Sequence, residues 1–359
     1  MPPRHLIVIG ASAGGVEALT RIVRDLAGDI RAAIFITLHF PPTGTSALAR
    51  ILKRAGKVNA VHAVDAQPIE EGEIYVAPPD NHLLIFRDHV RLYRGPRENG
   101  NRPAVDPMFR SAALAFGPRV IGVVLSGNLD DGTSGLLAIK RRGGIAVVQD
   151  PAEAMFPSMP QSAIDHVAVD YVRKLDGVAA LLNDLAKRTP VEEAMVTNDE
   201  AQKETEYSEI DLSRIEDAGD HPGVLAAFGC PDCGGTLWEL REEKLVRFRC
   251  RVGHAWTSGA LLGRQSETLD AALWTALRAL EESASLSRQL SERARSRGNT
   301  RLAQRLADNA SLAARRAETI REVLLSDRNS PVDADEETDS ANAARHPARH
   351  TQRMSGSDD

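Results

Sequence analysis

Cysteine is scarce in this 359-residue sequence: there are three, and all lie between positions 230 and 250. So few cysteines exclude a disulfide-stapled secreted scaffold. Long hydrophobic runs are missing too, because no stretch approaches the roughly eighteen apolar residues that a membrane span needs. The first apolar segment, which begins at Leu6, is too short for the core of a signal peptide. We therefore expect a cytoplasmic protein with no membrane insertion.

An excess of positive charge is also lacking, since 44 Lys and Arg stand against 50 Asp and Glu and the formal net charge is −6. This acidic balance argues against a general nucleic-acid binder, and no nucleic-acid partner is expected. Hydrophobic residues make up 42% of the chain, which is enough to build a buried core. The length exceeds what one domain usually holds.

The stretch around which the chain is organised runs from Leu6 to Gly15. Leu6 to Ile9 is an apolar run typical of a buried parallel strand. It breaks at the glycine-rich turn that contains Ser12, and apolar residues then recur at helical spacing from Val16 to Leu26. A tight strand-to-helix turn suits a serine nucleophile beside an oxyanion hole, and it also suits a phosphate cradle. On this stretch alone the phosphate loop is favoured, because such loops are common.

Strands alternate with helices along the first half of the chain, which predicts an α/β fold with a doubly wound, mostly parallel sheet. Ser12, His39 and the pair Asp130 and Asp131 each follow the end of a separate apolar strand. Because such ends meet at one edge of a parallel sheet, we expect a nucleophile, a base and an orienting carboxylate there. The residues alone do not decide between Asp130 and Asp131.

Two familiar folds fit less well. The order Ser, His, Asp differs from the Ser, Asp, His order of the α/β-hydrolase fold. A dinucleotide-binding fold needs a glycine where Ser12 stands and an acidic residue where His39 stands. The chain also lacks the Gly-Lys-Ser/Thr of a phosphate-binding P-loop.

Four motifs occur in order: GASAGG at 10–15, LHFP at 38–41, RPAVD at 102–106 and LSGNLDDG at 125–132. Together they resemble the catalytic domain of the chemotaxis protein-glutamate methylesterases, over about residues 4–187. The resemblance implies hydrolysis of glutamate γ-methyl esters on methyl-accepting chemoreceptors, and many members also deamidate receptor glutamines. It implies Ser12 as nucleophile, His39 as general base and then acid, and Asp131 as the orienting carboxylate, with no catalytic cofactor.

The chain departs from the family pattern in three ways. Ala13 stands where the family usually has Thr, and Asn128 where it usually has Met. The familiar architecture also places a phosphorylatable receiver domain ahead of the catalytic domain. Here the first catalytic strand begins at Leu6, so we do not expect a receiver in this chain to gate the activity.

The second half of the chain contains a metal-binding pattern. Cys230 and Cys233 form a C-x2-C pair, and Cys250 and His254 form a C-x3-H pair after a spacer of sixteen residues. Three thiolates and one imidazole at this spacing can close a tetrahedron around Zn²⁺. Four protein ligands leave no open position, so the predicted zinc site is structural. Strands are expected at 236–240 and 245–249, as in a zinc ribbon.

Two long helical patterns follow, at 261–297 and 300–326, with Gly298 and Asn299 between them. They predict either an antiparallel helical hairpin or a dimerising coiled coil, which could dock on a signalling-complex protein. The predicted organisation is a catalytic domain (1–187), an acidic linker (188–222), a zinc-ribbon-like module (223–258), a helical hairpin (259–327) and a disordered tail (328–359). The predicted function is a chemoreceptor methylesterase. The alternatives are a non-catalytic signalling adaptor and a nucleotide-binding protein.

Overall fold

The structure of the chain is a computed structural model that describes residue 3 and residues 5–40, 45–189, 223–242 and 244–326. Residues 190–222 of the predicted acidic linker, and the predicted tail at 328–359, lie outside the described residues. The described residues form two compact units, which divide between Gln265 and Ser266. Within these ranges, no helix is both long enough and apolar enough to cross a membrane.

The first unit is built on a seven-stranded sheet in the order β3-β4-β2-β1-β7-β8-β9, in which every neighbouring pair is parallel. Strands β5 and β6 form a separate antiparallel hairpin. The bounds are β1 (His5–Ala11), β2 (Ala32–Leu38), β3 (Asn59–His62), β4 (Glu73–Val76), β5 (His82–Ile85), β6 (Val90–Tyr93), β7 (Val120–Val124), β8 (Ile145–Gln149) and β9 (Tyr171–Arg173).

Helices cover both faces of this sheet. Ile7 and Ile9 of β1 belong to the core beneath one layer of helices, while Leu6 and Val8 belong to the core on the opposite face. Every residue of β1 is therefore buried, which explains the unbroken apolar run from Leu6 to Ile9 within it. The predicted doubly wound, mostly parallel fold is confirmed. The helices are α1 (Gly15–Asp25), α2 (Leu48–Ala55), α3 (Val105–Phe116), α4 (Thr133–Arg141), α5 (Ser158–His166) and α6 (Leu175–Leu185).

A second sheet in the same unit follows the undescribed segment. Its four antiparallel strands lie in the order β10-β11-β12-β13 around a small core that includes Leu237, Phe248 and Trp256. The bounds are β10 (Val224–Gly229), β11 (Thr236–Glu242), β12 (Leu245–Cys250) and β13 (Ala255–Thr257). The sequence predicts β11 and β12, but it gives no signal for β10 or for the three-residue β13. We call β10–β13 the ribbon sheet.

The ribbon sheet joins the parallel-sheet region through its last strand. The Asn99 N–H donates to the Ala255 carbonyl at 2.8 Å, and the Ala255 N–H donates to the Arg97 carbonyl at 3.3 Å. Arg141 on α4 also pairs with Glu242 on β11 at 3.3 Å. The loop at 97–101 therefore borders both sheets.

The second unit consists of most of α7 (Ser258–Ser296) and all of α8 (Thr300–Ser326). Leu277 of α7 is buried with Ala317 and Leu324 of α8. Ser291 donates to the Ala303 carbonyl at 2.7 Å, and Arg321 pairs with Glu281. Ser291 and Ala303 both lie near the turn at Gly298, whereas Leu277 and Leu324 both lie far from it, as in an antiparallel pair of helices.

Candidate active site

Ser12 lies on the turn between β1 and α1. Its N–H donates to the Ser126 carbonyl at 3.0 Å, and its own carbonyl accepts the Gly15 N–H at 2.9 Å. Gly14, which precedes α1, has a φ of +73°. An added Cβ at this position would lie 2.9 Å from the Ser126 hydroxyl oxygen. A glycine is therefore needed here for both backbone conformation and space.

Ser126, two residues after the end of β7, contacts this turn and fixes it from the neighbouring strand. Its hydroxyl donates to the Ala13 carbonyl at 2.8 Å and accepts the Phe156 N–H at 3.0 Å. The side chain is buried. Sequence reasoning assigned Ser126 no role, although its position at a strand end was a usable signal.

His39 connects the turn to a carboxylate. It follows β2, whose parallel pairing with β1 brings it to the same sheet edge as Ser12. Its Nδ1 lies 3.0 Å from Ser12 Oγ, and its Nε2 lies 2.7 Å from Asp131 Oδ2. With the proton assigned to Nε2, the ring donates to Asp131 and accepts from the Ser12 hydroxyl. The structure therefore brings together the three side chains that the sequence suggests as candidate nucleophile, base and orienting carboxylate.

Asp131 is 2% exposed and is held by several donors besides His39. Its Oδ2 accepts the Val105 N–H at 2.7 Å, and its Oδ1 accepts the Gly132 N–H at 3.0 Å and Asn99 Nδ2 at 2.9 Å. Burial alone would raise the pKa of Asp131, but the hydrogen bonds from His39, Val105 and Asn99 hold it below its ordinary value. The carboxylate is therefore ionised where an imidazolium would need it.

Asp130 has a different environment from its neighbour. Its carboxylate accepts the Thr257 hydroxyl and the backbone N–H groups of Gly259 and Ala260, at the beginning of α7. Burial, together with the charge of Asp131, raises its pKa. The structure thus brings Asp131 to His39 and places Asp130 at a helix N-terminus, where a carboxylate is stabilising.

Asp106 and Asn99 both contact Asp131, and the sequence analysis gives neither side chain a role. Asn99 Nδ2 also donates to Asp106 Oδ2 at 3.0 Å. Asp106 Oδ1 accepts the N–H groups of Gly132 and Gly135 at 3.1 and 2.7 Å. Burial and the nearby Asp131 charge raise the pKa of Asp106 to about 8. Asn99 therefore separates two buried acids by donating to both.

The predicted metal ligands come together in the ribbon sheet. We call Cys230, Cys233, Cys250 and His254 the cysteine cluster, and their ligand atoms all lie within 4.8 Å of one another. The Cys233 and Cys250 sulfurs are 3.6 Å apart, and His254 Nδ1 lies 3.7 Å from Cys230 Sγ and 3.6 Å from Cys250 Sγ. Zn–S bonds of about 2.3 Å give tetrahedral edges of about 3.8 Å, so this donor set fits Zn²⁺.

A buried ion pair supports the loop that carries Asn99. One Arg110 nitrogen lies 2.7 Å from both Glu98 carboxylate oxygens, and Arg249 of the ribbon sheet lies 3.7 Å from Glu98. Burial alone would raise the pKa of Glu98, but the charges of Arg110 and Arg249 lower it to about 2. Glu98 is therefore charged at any pH near neutrality.

We expect Glu98→Gln to lower the unfolding free energy by about 3 kcal/mol, because it leaves the Arg110 charge buried beside a neutral partner. Since the Glu98 pKa falls from 4.5 to about 2 on folding, its contribution is complete above about pH 4.5 and is lost as the pH falls towards 2. Urea unfolding at pH 7 and pH 3 measures both effects, and the variant should differ less from wild type at pH 3.

The matched control is Glu17→Gln, which changes an exposed carboxylate on α1. Its cost should stay within about 0.5 kcal/mol. Equal stabilities of Glu98→Gln and wild type at pH 7 would show that the ion pair contributes nothing.

Comparison with known proteins gives consistent results for the first half of the chain. Residues 7–182 match the sequence model of the CheB methylesterase family. A putative protein-glutamate methylesterase/protein-glutamine glutaminase of Leptospira interrogans is 40% identical over 176 residues, covering 49% of this chain and 91% of the relative.

Other relatives are longer. A protein-glutamate methylesterase/protein-glutamine glutaminase of Pyrococcus horikoshii is 36% identical over 182 residues, covering 50% of each protein, so the chain spans about half of its length. The crystal structure of the Thermotoga maritima CheB methylesterase catalytic domain aligns at 31% identity. This alignment covers 50% of this chain and 98% of that domain, with a TM-score of 0.49.

Proposed function

Because the chain belongs to the CheB methylesterase family, we propose that residues 1–187 hydrolyse glutamate γ-methyl esters on the cytoplasmic part of chemoreceptors. The observation that carries this proposal is the pair of hydrogen bonds that joins Ser12, His39 and Asp131 at one sheet edge. A cytoplasmic location is part of the proposal, because the three cysteines would stay reduced there.

The proposed mechanism is covalent. Ser12 Oγ attacks the ester carbonyl carbon while His39 Nδ1 accepts the hydroxyl proton, and Asp131 stabilises the imidazolium through Nε2–H. Backbone N–H groups at the glycine turn, of Ala13 and Gly14, are the candidate donors to the oxyanion. His39 then donates this proton to the methoxide oxygen as its bond to the carbonyl carbon breaks, and methanol leaves. Finally it activates a water molecule that attacks the acyl-enzyme and releases glutamate and Ser12.

The same acyl-enzyme accounts for a second proposed activity, the deamidation of receptor glutamines. With an amide substrate the leaving group is ammonia, and it too must take a proton from His39 to depart. Ala13 and Asn128, where the chain departs from the family pattern, contribute no side chain to these steps. The proposed oxyanion donors are backbone groups.

The test is methanol release from a methylated chemoreceptor signalling domain, with mass spectrometry to follow glutamine conversion. A fluorophosphonate probe on Ser12 reports whether the nucleophile is activated, whatever the natural substrate. Methanol release and labelling together would support the methylesterase. Labelling without methanol from several receptors would indicate another ester, and the absence of both would favour a signalling adaptor.

The adaptor remains a second candidate because α7 exposes large apolar residues. Leu269, Trp274 and Leu286 are 58%, 52% and 57% exposed. Such a surface suits docking on a signalling-complex protein. Chemotaxis complementation with Ser12→Ala separates the two, since an adaptor would still function and an esterase would not.

We further propose that residues 223–258 form a zinc ribbon, and its support is the fit of the cysteine cluster to a tetrahedral ion. The four residues would supply three thiolates and one imidazole, and the metal would hold the ribbon sheet together. No catalytic step passes through it.

The protein should retain one zinc ion per chain during dialysis against a weak chelator, whereas His254→Asn should lose it, because three ligands hold the ion less tightly. Elemental analysis after dialysis measures the content. His89→Asn is the matched control, since His89 is partly exposed and lies outside the cysteine cluster. Equal zinc content in wild type and His254→Asn would remove His254 from the site.

A further inference from the structure

The Asn99 side chain connects the ribbon sheet with the candidate active site. Its Nδ2 donates to Asp131 Oδ1 at 2.9 Å and to Asp106 Oδ2 at 3.0 Å, while its Oδ1 accepts the Thr257 N–H at 2.9 Å. All of these groups are buried. Reversing the amide would turn its oxygen towards the ionised Asp131 carboxylate and its nitrogen towards the Thr257 N–H. The orientation of Asn99 is therefore fixed, and β13 contributes to fixing it.

The backbone of Asn99 adopts an uncommon conformation that needs support. Its φ is +50°, in the left-handed region that Asn tolerates better than most residues. The N–H of Asn99 donates to the Ala255 carbonyl at 2.8 Å. Glu98 and Asn101 exchange backbone hydrogen bonds on either side, at 3.2 and 2.9 Å. Such conformations persist where surrounding contacts over-determine them, and one of these contacts comes from the ribbon sheet.

The supporting strand, β13, begins directly after a residue of the cysteine cluster. Cys250 and His254 bracket the turn between β12 and β13, and the Cys250 N–H donates to the His254 carbonyl at 3.0 Å. An ion bound by both side chains would therefore fix the turn from which Ala255 and Thr257 extend. Two hydrogen bonds join Asn99 to β13: the Asn99 N–H donates to the Ala255 carbonyl, and the Thr257 N–H donates to Asn99 Oδ1. Both depend on the position of that turn.

A second connection reaches the same point from Asp130. The Thr257 hydroxyl donates to Asp130, whose carboxylate also accepts the first N–H groups of α7. Asp130 directly precedes Asp131 in the chain. Residues 257–260 thus hold the turn of Asp131 through Asp130 as well as through Asn99.

We propose that Asn99 is a positioning residue for the Asp131 carboxylate and that metal binding in the cysteine cluster holds Asn99 in place, so that the metal-bound protein is the more active esterase. This inference rests on the proposed function of Ser12, His39 and Asp131. Asp131 keeps its bonds from Val105 and Gly132 when Asn99 is lost. The expected effect is therefore a reduced rate and not inactivation.

The experiment measures the rate of Ser12 labelling by a fluorophosphonate in the full chain, loaded with zinc or stripped by a chelator. Metal removal and Asn99→Ala should each slow labelling by about 100-fold, as expected for a displaced catalytic group. In Asn99→Ala, removal of zinc should slow labelling by less than about tenfold, because the contact with Asn99 is already lost and zinc can then act only through Thr257 and Asp130. Receptor methanol release should show a lower kcat with little change in KM.

A spectroscopic readout separates positioning from a general structural effect. The proton between His39 and Asp131 should give a downfield NMR signal in the zinc-loaded protein and should broaden or shift in both altered forms. Asn59→Ala is the matched control, because the Asn59 amide contacts Glu73 between β3 and β4, at the far edge of the parallel sheet. This variant should keep the wild-type rate and the full response to zinc.

The outcomes distinguish this inference from the proposed function. Labelling that responds to zinc and Asn99, without methanol release from any receptor, would support the inference and overturn the proposed substrate. Normal methanol release in Asn99→Ala and in the stripped protein would overturn the inference alone. If stripping unfolds the first unit, the zinc-loaded Asn99→Ala variant decides: an unchanged rate and an unchanged proton signal would overturn the inference.

Discussion

Replacement of Ser12 by alanine is expected to lower methanol release by about a million-fold, to the rate left when a serine hydrolase loses its nucleophile. The variant cannot form an acyl-enzyme, because it lacks the Ser12 hydroxyl, which lies 3.0 Å from His39 Nδ1. Its fold should not change, since Ser12 is fixed by its backbone N–H and carbonyl. Methanol release and circular dichroism on the same preparation check both expectations.

Ser134→Ala is the matched control for this experiment. The Ser134 hydroxyl is buried on α4 and has no hydrogen-bond partner among the described residues. Its removal leaves no donor or acceptor unpaired and should leave activity at the wild-type level. Residual methanol release by Ser12→Ala at more than about a thousandth of the wild-type rate would point to a mechanism without a covalent serine intermediate.

Asp131→Asn is expected to lower turnover by about 10⁴-fold, through the wrong imidazole tautomer. The asparagine oxygen should take the Oδ1 position, which accepts from Asn99 Nδ2 and two backbone N–H groups. Its amide nitrogen then faces His39 Nε2 and donates to it. The imidazole proton would move to Nδ1 and point at Ser12, so His39 could no longer accept the hydroxyl proton. Steady-state kinetics and the loss of the downfield imidazole proton signal test this prediction together.

Asp130→Asn is the control, because it makes the same change one residue earlier, on a side chain that faces Thr257 and α7. Its effect on turnover should stay below about tenfold, since the tautomer of His39 is untouched. Equal losses in the two variants would mean that the turn tolerates no change of charge. The role given to Asp131 would then have no kinetic support.

The sequence was most informative where a run of apolar residues stopped abruptly at a turn. Apolar runs fully buried in the sheet indicated β1, β2 and β7. Polar residues in the turns that follow these runs identified Ser12, His39 and the Asp130–Asp131 pair. The pair itself could not be resolved from the residues, because both acids occupy one turn and their difference arises from contacts with His39 and with α7. Only the resemblance to the methylesterases favoured Asp131.

Short and irregular segments gave no comparable signal. β9 is a three-residue edge strand with two exposed residues, and β13 is equally short, so neither repeats a pattern often enough to be recognised. Asn99 lies in a loop where asparagine next to glycine predicts an ordinary turn. Its function depends on Thr257, which is 158 residues away in sequence. No local pattern records such a contact.

That separation has a consequence for synthesis of the protein. All seven strands of the parallel sheet lie at or before Arg173 in the sequence. The backbone N–H that donates to the Asn99 side chain belongs to Thr257, which is translated later. Because domains fold in order as a nascent chain leaves the ribosome, the sheet is expected to assemble before its last support has been translated. A nascent or truncated chain would then carry Ser12, His39 and Asp131 on a folded scaffold with reduced activity, and the full rate would be reached only after Thr257 has been translated and the ribbon sheet has folded.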